Sequence, residues 1–140
     1  MPTEAAHSDE PPISIKGVLI RDGRVLLLLN GRGEWDLPGG RPDAGEDHRA
    51  ALRREVEEET GLAVEVGATL GEHLFEVLPG RFVRIVAFAC RLVTDAEAVL
   101  SAEHLAARWF PVGQLGDGMI EGHRLPAGYL AAVRRALLRE

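Results

Sequence analysis

The stretch Gly40-Arg41-Pro42-Asp43-Ala44-Gly45-Glu46-Asp47-His48-Arg49-Ala50-Ala51-Leu52-Arg53-Arg54-Glu55-Val56-Glu57-Glu58-Glu59-Thr60-Gly61-Leu62 decides how the rest of the chain is read. Its opening, through Gly45, has the glycine and proline punctuation of a loop. From His48 to Glu59 there is no Gly or Pro, and Ala, Leu, Arg and Glu dominate. The sequence therefore predicts a helix over 48–59, stopped by Gly61 just past its end. Winding that helix at about 100° per residue places Glu59 about 40° to one side of Glu55 and Glu58 about 60° to the other. Three carboxylates share a face. Leu52 and Val56 lead toward an apolar flank, Glu57 points nearly opposite, and Arg54 flanks the acids.

Such a cluster is locally unfavourable. Like charges at i,i+3 and i,i+4 repel, and acids in a last helical turn oppose the macrodipole. A solvated acidic face is the ordinary outcome for a Glu-rich helix. Here the glycine-rich loop directly before the helix favours a site for a hard cation, because Mg²⁺ takes oxygen ligands and shares them with substrate phosphates.

Outside this stretch, Met1 to Pro12 is a polar lead-in without the basic-then-apolar order of a secretory signal. Residues 13–140 read as one domain. Ile13–Ile20 and Val25–Leu29 form a hairpin about Arg21-Asp22-Gly23-Arg24. Asn30 to Gly45 reads as loop. Leu62 to Leu78 predicts strands broken near Gly67 and Gly71, and Pro79-Gly80 turns the chain into a strand over 82–93. That strand is apolar on both faces, as a central strand would be. An acidic loop over 95–103, a short strand at Arg108-Trp109-Phe110 and an amphipathic helix over 128–139 complete the chain. The interleaving fits an α+β fold, an α/β/α sandwich around a mixed sheet.

Composition narrows the function. The chain has 140 residues, 46% of them hydrophobic and 27% charged, with a net charge of −6. That balance argues against a nucleic acid polymer or a membrane surface as partner, since both are gripped by cationic patches. A small phosphorylated ligand needs only a few cations. The basic residues are fifteen Arg and a single lysine, Lys16. Cys90 has no second cysteine to pair with, and a cytoplasmic location is expected.

Gly, five residues, Glu, seven residues, then Arg-Glu-apolar-X-Glu-Glu-X-Gly-apolar resembles the Nudix box, the signature of the Nudix hydrolases. Every defined position from Gly40 to Leu62 matches, and Trp35-Asp-Leu-Pro-Gly-Gly40 looks like the family's entry into it. The resemblance implies a Nudix-like α/β/α sandwich. It also implies metal-dependent hydrolysis of the pyrophosphate bond in a nucleoside diphosphate linked to another moiety, with Mg²⁺ as cofactor and Mn²⁺ as an alternative. Glu55, Glu58 and Glu59 inherit the role of metal ligands, Arg54 that of holding Glu55, and the Gly39 carbonyl that of a further ligand. Glu46 takes the supporting place of the early box glutamate. The proton acceptor is either a helix glutamate or an acid of the later loop, where Glu103 leads and Glu97 and Asp95 follow.

Four further residues are candidates for substrate binding: Trp35 by stacking on a base, and Arg32, Arg41 and Arg84 as phosphate clamps. A non-catalytic nucleotide sensor on the same fold is the competing reading. Such sensors often lose box glutamates, and this chain keeps them all. A nucleoside triphosphate ranks ahead of ADP-ribose or a nucleotide sugar as substrate. The chain is expected to act as a monomer or homodimer.

Overall fold

The computed structural model describes residues 10–99 and 104–139. Its first hairpin follows from the turn. Asp22 and Gly23 both take positive φ (53° and 75°), the twist that a two-residue hairpin loop requires. Strand β1 (Ile13–Arg21) thereby folds back onto β2 (Arg24–Leu29). β2 is flanked by β3 (Trp35–Asp36) and later by β7 (Ala106–Pro111), while β4 (Gly39–Gly40) pairs with β1. The segment that reads as loop between residues 30 and 45 thus contributes two short strands. Propensity does not reveal them, because two residues carry no period.

After helix α1 (His48–Thr60), β5 (Val64–Leu78) and β6 (Arg81–Leu92) form a long hairpin about Pro79-Gly80. The break expected near Gly67 and Gly71 does not occur. β5 runs as one strand of 15 residues, and the glycines mark register shifts between Val66, Thr69 and Gly71. An extra residue is absorbed as a bulge, which bends a strand without ending it. β6 lies parallel to β1, which makes the sheet mixed, in the order β3-β2-β1-β6-β5. A small hairpin, β8 (Met119–Ile120) with β9 (His123–Arg124), and helix α2 (Ala127–Leu137) close the described chain.

Alternation along β1 sorts the core into two layers. Ile15 and Leu19 face α1, packing with Leu52, Val56 and Phe88. Val18 faces the opposite way, into a layer with Val83, Ile85, Tyr129 and Val133 of α2. The result is the expected three-layer sandwich. Cys90 is buried in the α1 layer, and burial pushes its thiol up to about 12, so it packs as a small apolar residue. Among the described residues no helix is long and apolar enough to cross a membrane.

Candidate active site

Helix α1 is fixed at both ends. The Asp47 side chain accepts from the Ala50 amide at 3.0 Å, a cap worth about 1 kcal/mol. Gly61 takes the left-handed conformation and donates to the Glu57 carbonyl. These caps set the rotation at which the acidic face meets β4.

Arg54 pairs with Glu55 but grips Glu46 and Glu58 more closely. Its Nε and Nη2 donate to the two oxygens of Glu46 at 3.0 and 2.9 Å, a bidentate fork, and its Nη1 reaches Glu58 at 3.3 Å. Glu55 lies at 3.8 Å, beyond hydrogen-bonding distance. Adjacent helical residues diverge by about 100°, whereas Glu46 sits on the incoming loop, facing the guanidinium. Hydrogen bonds from Arg54 and then from the Asp43 amide hold the Glu46 carboxyl down to about 2.

The other two acids lie against glycine backbone. Glu59, only 8% exposed, accepts from the Gly39 amide at 2.9 Å. Gly39 has φ +142°, and a Cβ there would fall 2.0 Å from the Ile15 carbonyl oxygen, so only glycine fits. At Gly40 a Cβ would meet the Glu55 carboxylate at 2.9 Å. The bare backbone of β4 is therefore the shelf on which both carboxylates rest. Burial raises Glu59 to about 7; the Gly39 hydrogen bond and Lys16 offset this in part, and Glu55 and Asp36 add to it. Glu58 is exposed and Glu57 points to solvent.

Among the described residues no three His, Cys, Asp or Glu side chains are grouped closely enough to hold a metal ion by themselves. The side-chain donors that do meet at β4, from Glu55 and Glu59, are all oxygens. That set suits a hard divalent ion that keeps several waters and takes the rest of its ligands from phosphate.

Across β4, on the α2 face of the sheet, lies a cavity of about 220 Å³ lined by Ser14, Lys16, Arg32, Asp36, Arg41, Phe75, Val77, Val83, Ile85 and Tyr129. Arg32 stands over the Phe75 ring at 5.7 Å, and Phe75 stacks on Tyr129. Arg32 and Arg41 are thus brought together in one cavity. Trp35 and Arg84 are not. Trp35 is 1% exposed, donates to the Ile120 carbonyl and packs edge-on against Phe110, so no base can reach its ring. Arg84 projects from the other face of the sheet, into a cleft beside Glu46, His48 and Arg49. Glu103 lies outside the described residues. The loop leading to it is anchored by Arg21, which donates to the Thr94 and Ala96 carbonyls, and reaches α1 where the Val99 amide donates to Thr60. Asp95 and Glu97 on that loop are exposed.

Sequence reasoning passes over Lys16 and Asp36, which form a buried ion pair at 3.1 Å. One signal is available in the sequence: the only lysine of the chain stands in an apolar strand.

A three-layer sandwich with an acidic helix docked on a glycine shelf defines a class of phosphate-handling hydrolases. Residues 11–135 match the NUDIX domain, and the chain belongs to the Nudix hydrolase family. It is 32% identical over 122 residues to a MutT-like protein of Streptomyces ambofaciens, covering 86% of this chain and 77% of that one. It is also 32% identical over 133 residues to a putative 8-oxo-dGTP diphosphatase 2 of Mycobacterium tuberculosis, covering 89% of each chain. The crystal structure of a MutT protein from Methanosarcina mazei Go1 superposes with a TM-score of 0.73 at 28% identity, over 93% of this chain and 96% of that one. Nudix hydrolases generally use divalent metal ions and act on small nucleotides.

Proposed function

We propose that the protein hydrolyses the pyrophosphate bond of a nucleoside diphosphate linked to another moiety, with nucleoside triphosphates favoured over ADP-ribose or nucleotide sugars. The observation that carries this reading is the adjacency, across two glycines, of the Glu55–Glu59 carboxylates and a nucleoside-sized cavity. Glu55, Glu58, Glu59 and the Gly39 carbonyl would hold Mg²⁺ or Mn²⁺. The ion would neutralise pyrophosphate oxygens and acidify an attacking water.

The chain's own residues do the rest. Arg54 holds Glu46 and Glu58 in place. The Gly39 amide fixes the rotamer of Glu59. Arg32 and Arg41 receive the phosphorylated nucleoside at the cavity mouth. The water's proton passes to a carboxylate, drawn from the helix glutamates or from Glu103. The mycobacterial relative, a putative 8-oxo-dGTP diphosphatase, supports a triphosphate substrate, and the unpaired Cys90 accords with a cytoplasmic setting. Phosphate and pyrophosphate release from a panel of nucleoside triphosphates, ADP-ribose and nucleotide sugars, with and without Mg²⁺, tests the reading. Binding of a nucleotide with turnover of none of them would overturn the reading in favour of a nucleotide sensor.

A further inference from the structure

Lys16 occupies an unusual position for a charged group. Its residue is 8% exposed, on a strand whose neighbours are core. Strand register places it beside Gly39, the residue whose amide holds Glu59. Its side chain emerges on the opposite face of the sheet from Glu59, inside the 220 Å³ cavity, against Asp36. It therefore stands where the cavity meets the acidic shelf. The surroundings of that junction are anionic, with Asp36, Glu55 and Glu59 nearby. Arg32 and Arg41 line the same cavity, and Arg32 already donates to Glu34.

A buried lysine costs several kcal/mol in desolvation, and a hydrophobic pair of similar volume would serve stability as well or better. Asp36 needs only one of the three ammonium donors, and its Oδ1 also accepts from the Leu37 amide. Lys16 thus has donors to spare beside β4, between the cavity and the acidic shelf.

We infer that Lys16 is a substrate-binding residue that contacts the phosphate next to the sugar, with Asp36 as its resting counter-ion. The inference rests on the proposed function for the direction in which the substrate lies. A contact to that phosphate reads no base. Lys16 therefore sets the preference for phosphorylated over unphosphorylated nucleosides and leaves selectivity among bases unchanged.

The test is binding without metal, by calorimetry, of ADP, GDP, adenosine and guanosine to the full chain and three variants. Lys16→Met alone strands the Asp36 carboxylate, so Lys16→Met with Asp36→Asn removes both charges and keeps an acceptor for the Leu37 amide. Asp36→Asn alone releases the lysine. The double variant should bind ADP and GDP about tenfold more weakly, the loss expected for one charge-assisted hydrogen bond, with both nucleosides unaffected. Asp36→Asn should bind the diphosphates as tightly as the parent or more so. With Mg²⁺, the double variant should show a raised KM for every nucleotide turned over. A loss shared by the nucleosides, a changed ADP-to-GDP ratio, equal weakening by Asp36→Asn, or no ADP binding by the parent would each overturn the assignment. Because binding is read without metal or turnover, a protein that hydrolyses nothing would still show whether Lys16 holds a phosphate.

Discussion

The Arg54 guanidinium holds Glu46, eight residues earlier, in a bidentate fork, while Glu55, its neighbour in sequence, stands off at 3.8 Å. Arg54 thereby ties the loop to the helix and steadies Glu58, and it meets Glu55 only as a longer ion pair. Arg54→Lys keeps the charge and loses the fork, so kcat should fall by about tenfold or more with a modest change in KM. Glu46→Gln should reproduce most of that loss. If Arg54→Lys altered KM alone, the arginine would be a substrate clamp.

Four glutamates within five residues should separate by geometry. Glu55→Gln and Glu59→Gln should each abolish most Mg²⁺-dependent turnover, and Glu58→Gln should impair it. Glu57→Gln, on the solvent side, should stay near the parent. Thermal melts with and without Mg²⁺ give an independent readout, since an ion bound only by the folded chain raises its melting point. The rise should shrink in the Glu55 and Glu59 variants and persist in Glu57→Gln.

Glu59 makes the metal-free protein sensitive to pH. Its folded value of about 7 lies above the ordinary carboxyl value of 4.5, so the fold favours the protonated form. The stability this contributes is complete below about pH 4.5 and declines as pH rises to about 7. In urea titrations, the parent should lose stability across that window, and Glu59→Gln should lose less. Glu46 acts with the opposite sign. Its carboxyl, held down to about 2, contributes above pH 4.5 and is lost as pH falls toward 2. A parent and Glu59→Gln with identical profiles from pH 4.5 to 7 would remove Glu59 as the source.

Gly39→Ala and Gly40→Ala, one residue apart, should fail differently. At Gly39 a methyl group meets backbone at 2.0 Å and φ is positive, so stability should drop by about 2 kcal/mol or more. At Gly40 the obstacle is the Glu55 carboxylate, a side chain that can move aside. Gly40→Ala should remain folded while turnover falls. Circular dichroism melts beside activity distinguish the two.

A diphosphate linkage should be required. Nucleoside triphosphates or diphosphate derivatives should be cleaved and p-nitrophenyl phosphate left intact. Robust turnover of the monoester with none of the nucleotides would contradict the assignment.

What is legible in the sequence is what local rules govern. The hairpin at Asp22-Gly23, α1 from His48 up to its stop at Gly61, and the outward direction of Glu57 all depend on residues a few positions apart. The rest depends on contacts between distant segments. Trp35 reads as a base platform because a sequence does not show Ile120 and Phe110 closing over it. Arg54 reads as the partner of its neighbour because the loop's return path to Glu46 is a tertiary fact. Lys16 and Asp36 gain meaning only once β1 and β3 bring them to 3.1 Å. The continuity of β5 across two glycines depends on β6 being there to pair with it.

The parallel ladder between β1 and β6 imposes an order of assembly. Ile13 pairs with Arg84 and Leu19 with Cys90, so every rung joins residues 71 positions apart. Helices form within about a microsecond and hairpins within about ten, whereas pairing across so long a loop is slow. During synthesis α1 therefore leaves the ribosome well before the strand that completes the sheet beneath it. For that interval Leu52 and Val56 have Ile15 and Leu19 of the earlier hairpin to pack on, but lack Val86 and Phe88 of β6.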